Sequence, residues 1–207
     1  MHNWPGLPPG KVSVRSGPTM AAFDIFEVTI QGKGTHGAMP HLGIDPVVVA
    51  AEIVLALQTI ASRTTDPLES VVVSVTQMHG GDTWNVIPDS VVLRGTARSF
   101  KPEIHDSIEP AIKRIAGGIC QAHNCTFSLR YEKRYPPTIN TAAETEFCAK
   151  VAAGVVGQQN VVRDHPPSMG SEDFAWMLQK KPGCYIWIGN GGAEGGCLLH
   201  NPHYDFN

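Results

Sequence analysis

Between residues 22 and 133 the chain switches repeatedly between the two hydrophobic periods that mark strands and helices. In "FEVTIQG", Phe26, Val28 and Ile30 alternate with Glu27, Thr29 and Gln31, the period-2 pattern of a half-buried strand. Asp45 followed by Pro46 predicts a helix start, a capping side chain before the residue that loses nothing at the first helical position. That helix is expected to run to about Ser62 with Val47, Ala50, Val54, Leu57 and Ala61 on one face. "SVVVSVTQM" (70–78) and "SVVLRGTARSF" (90–100) predict two further strands, with the Gly-, Asn- and Pro-punctuated "HGGDTWNVIPD" as a connecting loop. Pro102 opens a second helix whose Ile104, Ile108, Ile112, Ile115 and Ile119 form a single stripe. A fourth strand follows in "TFSLRYE", with Phe127, Leu129 and Tyr131 inward.

The order strand, helix, strand, strand, helix, strand predicts a four-stranded antiparallel sheet with both helices on one face, a ferredoxin-like sandwich. The flanks differ. Residues 1–20 are rich in Pro and Gly, show no periodicity and read as loop. After "YPPT" the pattern predicts a helix over 142–156, a short helix in "SEDFAWMLQ", a strand in "CYIWIG" and a glycine-rich tail ending in His200 and His203. This last third has α/β character but is too short for a complete α/β domain. The expected division is therefore 1–21 and 137–207 as pieces of one domain, with 22–136 inserted between them.

The 207 residues are 42% hydrophobic and 17% charged, the balance of an ordinary globular protein. A net charge of −3 and a pI near 6.3 argue against nucleic acid or an anionic membrane as partner. Five cysteines (Cys120, Cys125, Cys148, Cys184 and Cys197), odd in number and without a C-x-x-C pair, suit free thiols in a reducing compartment. The first twenty residues show no apolar leader. The run "DPVVVAAEIVLALQTI" is interrupted by Glu52 and is expected to fall short of the roughly 18 residues that span a bilayer. A soluble, cytoplasmic protein is the expectation.

Nine histidines raise the question of a metal, yet there is no H-E-x-x-H and no cysteine pairing of zinc-site spacing. Three of them stand among Gly and Pro, where the backbone can be fixed in an unusual shape: His2 in "MHNWPG", His36 in "GKGTHGAMPH" and His200 in "LLHNPHYDF". Imidazoles on such turns suit a metal ion or an oxyanion.

Together "MHNWPGLPPG", "GKGTHGAMPHLGIDPV", "NVIPDSVVLRGTARSF", "GSEDFAWM" and "LLHNPHYDFN" resemble the aminoacylase and carboxypeptidase G family of metal-dependent peptidases and amidohydrolases. The branch they look most like holds hippurate hydrolase, N-acyl-amino-acid amidohydrolases and auxin-conjugate hydrolases. The resemblance implies an α/β catalytic domain binding two divalent ions (Zn, Mn or Ni) and an inserted ferredoxin-like lid that often forms a homodimer. It implies hydrolysis of the amide of an N-acyl amino acid or small peptide. By the same resemblance His2 and His200 are metal ligands. His36 is a catalytic donor to the oxyanion in the neighbouring subunit's site, and His41 is a structural neighbour. Asn85 and Arg98 hold the substrate, Arg98 through its carboxylate by a planar two-donor fork. Arg94, on the same strand face, remains the competing carboxylate ligand. Ser171 and Glu172, with Asp173, lie behind the metal site by resemblance; a first-turn acidic pair also suits a helix dipole.

Two pieces of family machinery do not occur in the sequence: a His-x-Cys-Gly-His-Asp stretch and a Glu-Glu pair. Metal-assisted hydrolysis needs enough ligands to hold the ion and a carboxylate to take a proton from water. The expectation is a fragment lacking the N-terminal catalytic part, with metal weakly held or absent, inactive by itself. The alternatives are a non-catalytic, dimerising lid module, or a site completed by a separate polypeptide.

Overall fold

The computed structural model of the protein describes residues 1–191 and 199–204. The chain divides into two compact units, Met1–Ala21 with Pro137–Asn207, and Ala22–Pro136. The first unit begins with β1 (His2–Trp4), β2 (Val12–Ser13) and β3 (Gly17–Met20). The second holds β4 (Phe23–Gln31), β5 (Thr35–His36), α1 (Pro46–Thr59), β6 (Val71–His79), β7 (Val86–Ile87), β8 (Ser90–Ser99), α2 (Pro102–Ala122) and β9 (Thr126–Tyr135). The first unit resumes with β10 (Thr138–Asn140), α3 (Ala142–Val156), β11 (Val161–Val162), α4 (Phe174–Leu178) and β12 (Trp187–Gly189).

In the second unit the sheet runs β6-β8-β4-β9, every neighbouring pair antiparallel. The alternation of β4 puts Phe26, Val28 and Ile30 inward, where they join Val91, Leu93 and Ala97 of β8 in one buried cluster with both helices. A sheet buries only one face in such a cluster, so α1 and α2 share that face. The side chain of Asp45 caps α1 by accepting from the Val47 N–H at 2.8 Å. Gly95 lies opposite Phe26 across the sheet; a Cβ there would stand 2.3 Å from both the Phe26 ring and the Ser74 carbonyl.

One inward position of β4 is charged. Asp24 is fully buried, with His105 Nε2 at 2.8 and 2.7 Å from its two oxygens and the Tyr131 hydroxyl donating to Oδ2 at 2.6 Å. The carboxylate thus joins β4 to α2 and β9. Burial, and then the hydrogen bond to Asp24, push the Tyr131 phenol far above its ordinary range.

The helical faces differ from those expected. In α1 the buried set is Pro46, Val49, Ala50, Ile53 and Leu57, with Val47 exposed. The helix is apolar nearly all round, so its own periodicity does not single out a stripe. The buried stripe of α2 is His105, Ile108, Ile112, Ala116 and Cys120, with Ile115 and Ile119 at its margin. A π-helical turn, Ile60–Thr64, extends α1. Contrary to expectation, the combined Pro46–Thr64 helix is long and apolar enough to cross a bilayer by length and composition. Its buried residues Val49, Ala50, Ile53, Leu57 and Ile60 pack in the cluster against the sheet.

The first unit contains a mixed sheet, order β1-β12-β2-β11, with β1–β12 and β2–β11 parallel and β12–β2 antiparallel. A separate antiparallel ribbon joins β3 to β10. Residues 1–20, expected as loop, therefore contain three strands. Their partners lie more than a hundred residues further along the sequence, and no local pattern announces them. Val12 and Val14 pack against Ala149 and Ala152 of α3, and Trp4 stacks on Trp187 with centroids 4.1 Å apart. The strand read in "CYIWIG" is shorter than expected, Trp187–Gly189, and the loop after β6 contains β7. Cys120, Cys125, Cys148 and Cys184 are free, and Cys197 lies outside the described residues.

Substituting Asp24→Ala should cost about 3–5 kcal/mol in denaturant unfolding, because it strips a buried partner from its network. Tyr131→Phe should cost about 1.5–3 kcal/mol. Equal and negligible losses for both would remove Asp24 as the organising group.

Candidate functional site

In the second unit β5 and β7 form a two-residue ladder, Thr35 opposite Ile87 and His36 opposite Val86. The ladder continues through the Gly37 N–H, which donates to the Asn85 carbonyl at 2.7 Å. Gly37 is suited to this approach, since a Cβ would meet the Asn85 carbonyl oxygen at 3.1 Å. His36 and Asn85 are thus brought to one exposed corner. The Ala38 N–H donates to His36 Nδ1 at 3.0 Å. Nδ1 is therefore the acceptor, and in the neutral ring the proton resides on Nε2, which becomes a donor. His41 lies in the exposed turn Pro40–Leu42.

Arg98 occupies the sheet face away from the helices, with Arg94 two pleats earlier on the same face. Its guanidinium carbon lies 4.1 Å from the centroid of the Phe23 ring. Burial draws the Arg98 pKa below the ordinary arginine value, and the negative charge of Asp24 acts in the opposite direction. Arg94 donates from Nε to Glu27 at 2.6 Å.

In the first unit the His2 N–H donates to the Ile186 carbonyl at 3.1 Å, and His2 is paired with Trp187. His2 Nδ1 lies 2.6 Å from the Asn3 carbonyl oxygen. A carbonyl only accepts, so Nδ1 carries the proton and Nε2 offers a lone pair, the tautomer a metal ligand needs. His200 is exposed and adopts φ of 67°, a left-handed conformation uncommon outside glycine. Asn3 Nδ2 donates to the Tyr204 hydroxyl at 2.8 Å, tying the "HNPHY" segment to the strand that carries His2. Among the described residues no group of three or more His, Cys, Asp or Glu could hold a metal ion. Two imidazoles fall short of the three protein ligands typical of a catalytic zinc, so the described residues do not compose a metal centre by themselves.

Ser171 and Glu172 precede α4. The Glu172 carboxylate accepts from the Tyr185 hydroxyl and from the Asp173 N–H at 3.0 Å. Burial opposes its ionisation, but these hydrogen bonds prevail and its pKa lies below the usual glutamate value. Burial first, and then Glu172, push the Tyr185 phenol well above its normal range. Tyr185 is fixed in turn by Asn140, whose Oδ1 accepts from its N–H at 2.7 Å and whose Nδ2 donates to its carbonyl at 2.8 Å. Sequence reasoning missed Asn140, Tyr185 and His165, whose ring meets Trp187 edge-on at 5.3 Å. The one available signal was the lone tyrosine in "CYIWIG" downstream of "SEDF".

The sequence profile of peptidase family M20/M25/M40 matches residues 1–207. The chain is similar to N-acetyl-L-cysteine deacetylase of Bacillus subtilis, 38% identical over 192 residues, covering 93% of this chain and 45% of that protein. It is also similar to IAA-amino acid hydrolase ILR1-like 2 of Arabidopsis thaliana, 37% identical, covering 97% of this chain and 46% of the relative. A protein of methicillin-resistant Staphylococcus aureus aligns with TM-score 0.88 at 32% identity, over 100% of this chain and 53% of its own. Bacillus subtilis YxeP, described as a dinuclear metal-binding peptidase of the M20 family, aligns with TM-score 0.82 at 31% identity, over 100% of this chain and 51% of its own. The chain spans about half the length of the curated relatives it matches.

Tyr185→Phe should lower stability at neutral pH and leave it unchanged in acid. The depressed Glu172 pKa contributes stability above the ordinary glutamate value of 4.5 and loses it as pH falls through the folded value. Urea midpoints from pH 7 to pH 3 follow this; a constant difference between variant and parent across the range contradicts it.

Proposed function

The chain belongs to peptidase family M20/M25/M40, and on that premise we propose that it supplies the lid and part of the catalytic domain of a metal-dependent amidohydrolase. The bond broken is the amide of an N-acyl amino acid or small peptide, hippurate-like in having a free carboxylate beside the scissile nitrogen. Curated relatives named for N-acetylcysteine and IAA-amino acids support this class. The observation that carries the reading is the His36–Asn85 corner, where Nδ1 of the imidazole is occupied by a backbone donor. Such a ring can present Nε2–H to an oxyanion without first changing its protonation, which is the preorganisation that oxyanion stabilisation requires.

Asn85 orients the substrate beside His36, and Arg98 receives its carboxylate. The Phe23 ring beneath the guanidinium holds the planar fork in one orientation, as two parallel donor bonds need. His2 and His200 contribute imidazoles to a divalent metal centre, and donors beyond those of the described residues complete it. Ser171 and Glu172 stand behind that centre, Glu172 by fixing Tyr185. The inserted unit, with the β-α-β-β-α-β order of a ferredoxin-like sandwich, is the lid. Two copies associate through it. β6 is an edge strand, and exposed Val48 and Leu55 lie on α1, the helix that packs over the β6 side. His36 of one copy then serves the site of the other.

The purified chain alone should release no amino acid from hippurate or N-acetyl amino acids in Zn²⁺ or Mn²⁺, because the described residues do not supply a sufficient donor set. Turnover would refute that shortage. In an enzyme of full family length carrying this chain, His36→Gln should lower kcat about 10²–10³-fold with the fold intact. A wild-type rate in that variant removes His36 from the chemistry. Leu55→Asp should convert a dimer into a monomer in sedimentation; a monomeric parent at micromolar concentration would end the lid-dimer reading.

A further inference from the structure

The sheet face opposite the helices of the second unit carries a cavity of about 580 Å³. The size is that of small-molecule sites. Four arginines line it, Arg94 and Arg98 from β8 and Arg130 and Arg134 from β9, with the two glutamates Glu27 and Glu132. All six sit at outward positions of the pleat, so sheet geometry alone gathers them on one face. The glutamates lie in the midst of the arginines. Glu27 accepts from Arg94 Nε, and Glu132 accepts from both Arg130 and Arg134, the latter at 2.8 Å.

These ion pairs neutralise half of the cationic charge and leave the face with a formal excess of two positive charges. They also hold the guanidinium groups in place. Each guanidinium has five N–H donors, and the carboxylate that takes Arg94 Nε leaves its two terminal nitrogens for another acceptor. The floor between the arginines is mostly apolar, formed by Phe23, Ile25 and the backbone of Gly95. The Thr96 hydroxyl, which also lines the cavity, is buried and has no hydrogen-bond partner among the described residues.

From this arrangement we infer that the cavity binds a flat apolar dicarboxylate, one acid group at the Arg98–Arg134 end and the other at the Arg94–Arg130 end. Two negative charges match the excess of two positive ones, and planar guanidinium forks recognise carboxylates by paired donor bonds. The site goes beyond the amidohydrolase reading. Only its Arg98 end coincides with the proposed substrate clamp, and the Arg94–Arg130 end stands without it.

Calorimetric titration of the full chain with terephthalate, and with benzoate as the single-charge control, tests the site directly without any turnover. Terephthalate should bind saturably at one site per chain. The double variant Arg94→Gln with Arg130→Gln should weaken it at least about tenfold while leaving benzoate within about twofold. Absence of saturable terephthalate binding overturns the inference, as does equal binding by the double variant with an unchanged melting temperature. Arg98→Gln separates the two readings. Loss of terephthalate binding in that variant together with unchanged substrate KM in the full-length enzyme would sink the clamp and leave the cavity standing.

Discussion

A carboxylate placed where hydrocarbon would be cheaper organises the second unit. Asp24 occupies an inward position of β4 otherwise filled by Phe26, Val28 and Ile30, and it has no contact with water. Burying a charge is tolerable only where partners replace the lost hydration, and here α2 supplies His105 while β9 supplies Tyr131. The arrangement fixes which turn of α2 lies over β4, because hydrophobic contact alone would allow the helix to slide. The same charge reaches through the sheet. It favours the cationic form of Arg98 on the opposite face, where burial works against that form. One residue thus packs the side of the sheet that holds the fold together and acts electrostatically on an arginine of the other side.

Most of the inserted unit could be read from the sequence, since each of its long elements is periodic and punctuated locally. Phe26–Ile30 announced β4, and Asp45-Pro46 announced the start of α1, whose cap is as expected. What failed were questions of facing. α1 offers valine, alanine or leucine in most directions, so only the sheet decides that Val49 and Ile53 go in while Val47 stays out. On α2 the expected Ile108 and Ile112 are in the buried stripe, but Ile104, Ile115 and Ile119 give way there to His105, Ala116 and Cys120, each one position on. The Asp24 signal was present, an acid at an inward position of an alternating strand, and it passed unnoticed.

The flanks and the candidate site were legible in another way. β1, β2 and β3 are two to four residues long and owe their existence to distant partners, which no window of sequence contains. The histidine motifs were conspicuous as chemistry, and the family they suggested is the one whose profile covers the chain. The tautomers were not: that His2 presents Nε2 while His36 presents Nε2–H depends on a neighbouring carbonyl in one case and a neighbouring amide in the other. Arg130 and Arg134 could have been found by extending to β9 the outward-position reasoning that paired Arg94 with Arg98.

The pairing of β1 with β12 has a consequence for synthesis. His2 leaves the ribosome well before the strand it lies beside, Trp187–Gly189, which is made some 185 residues later. At about 5–20 residues per second that wait lasts on the order of ten seconds or more. The unit Ala22–Pro136, whose strand partners all lie within itself, emerges whole in the meantime and can collapse while the opening segment is still unpaired. Closing the first unit then joins two ends already brought nearer by a folded insert, which removes much of the loop entropy that an unstructured chain of that length would lose. The inserted unit is in this sense also an internal chaperone for the unit that it interrupts.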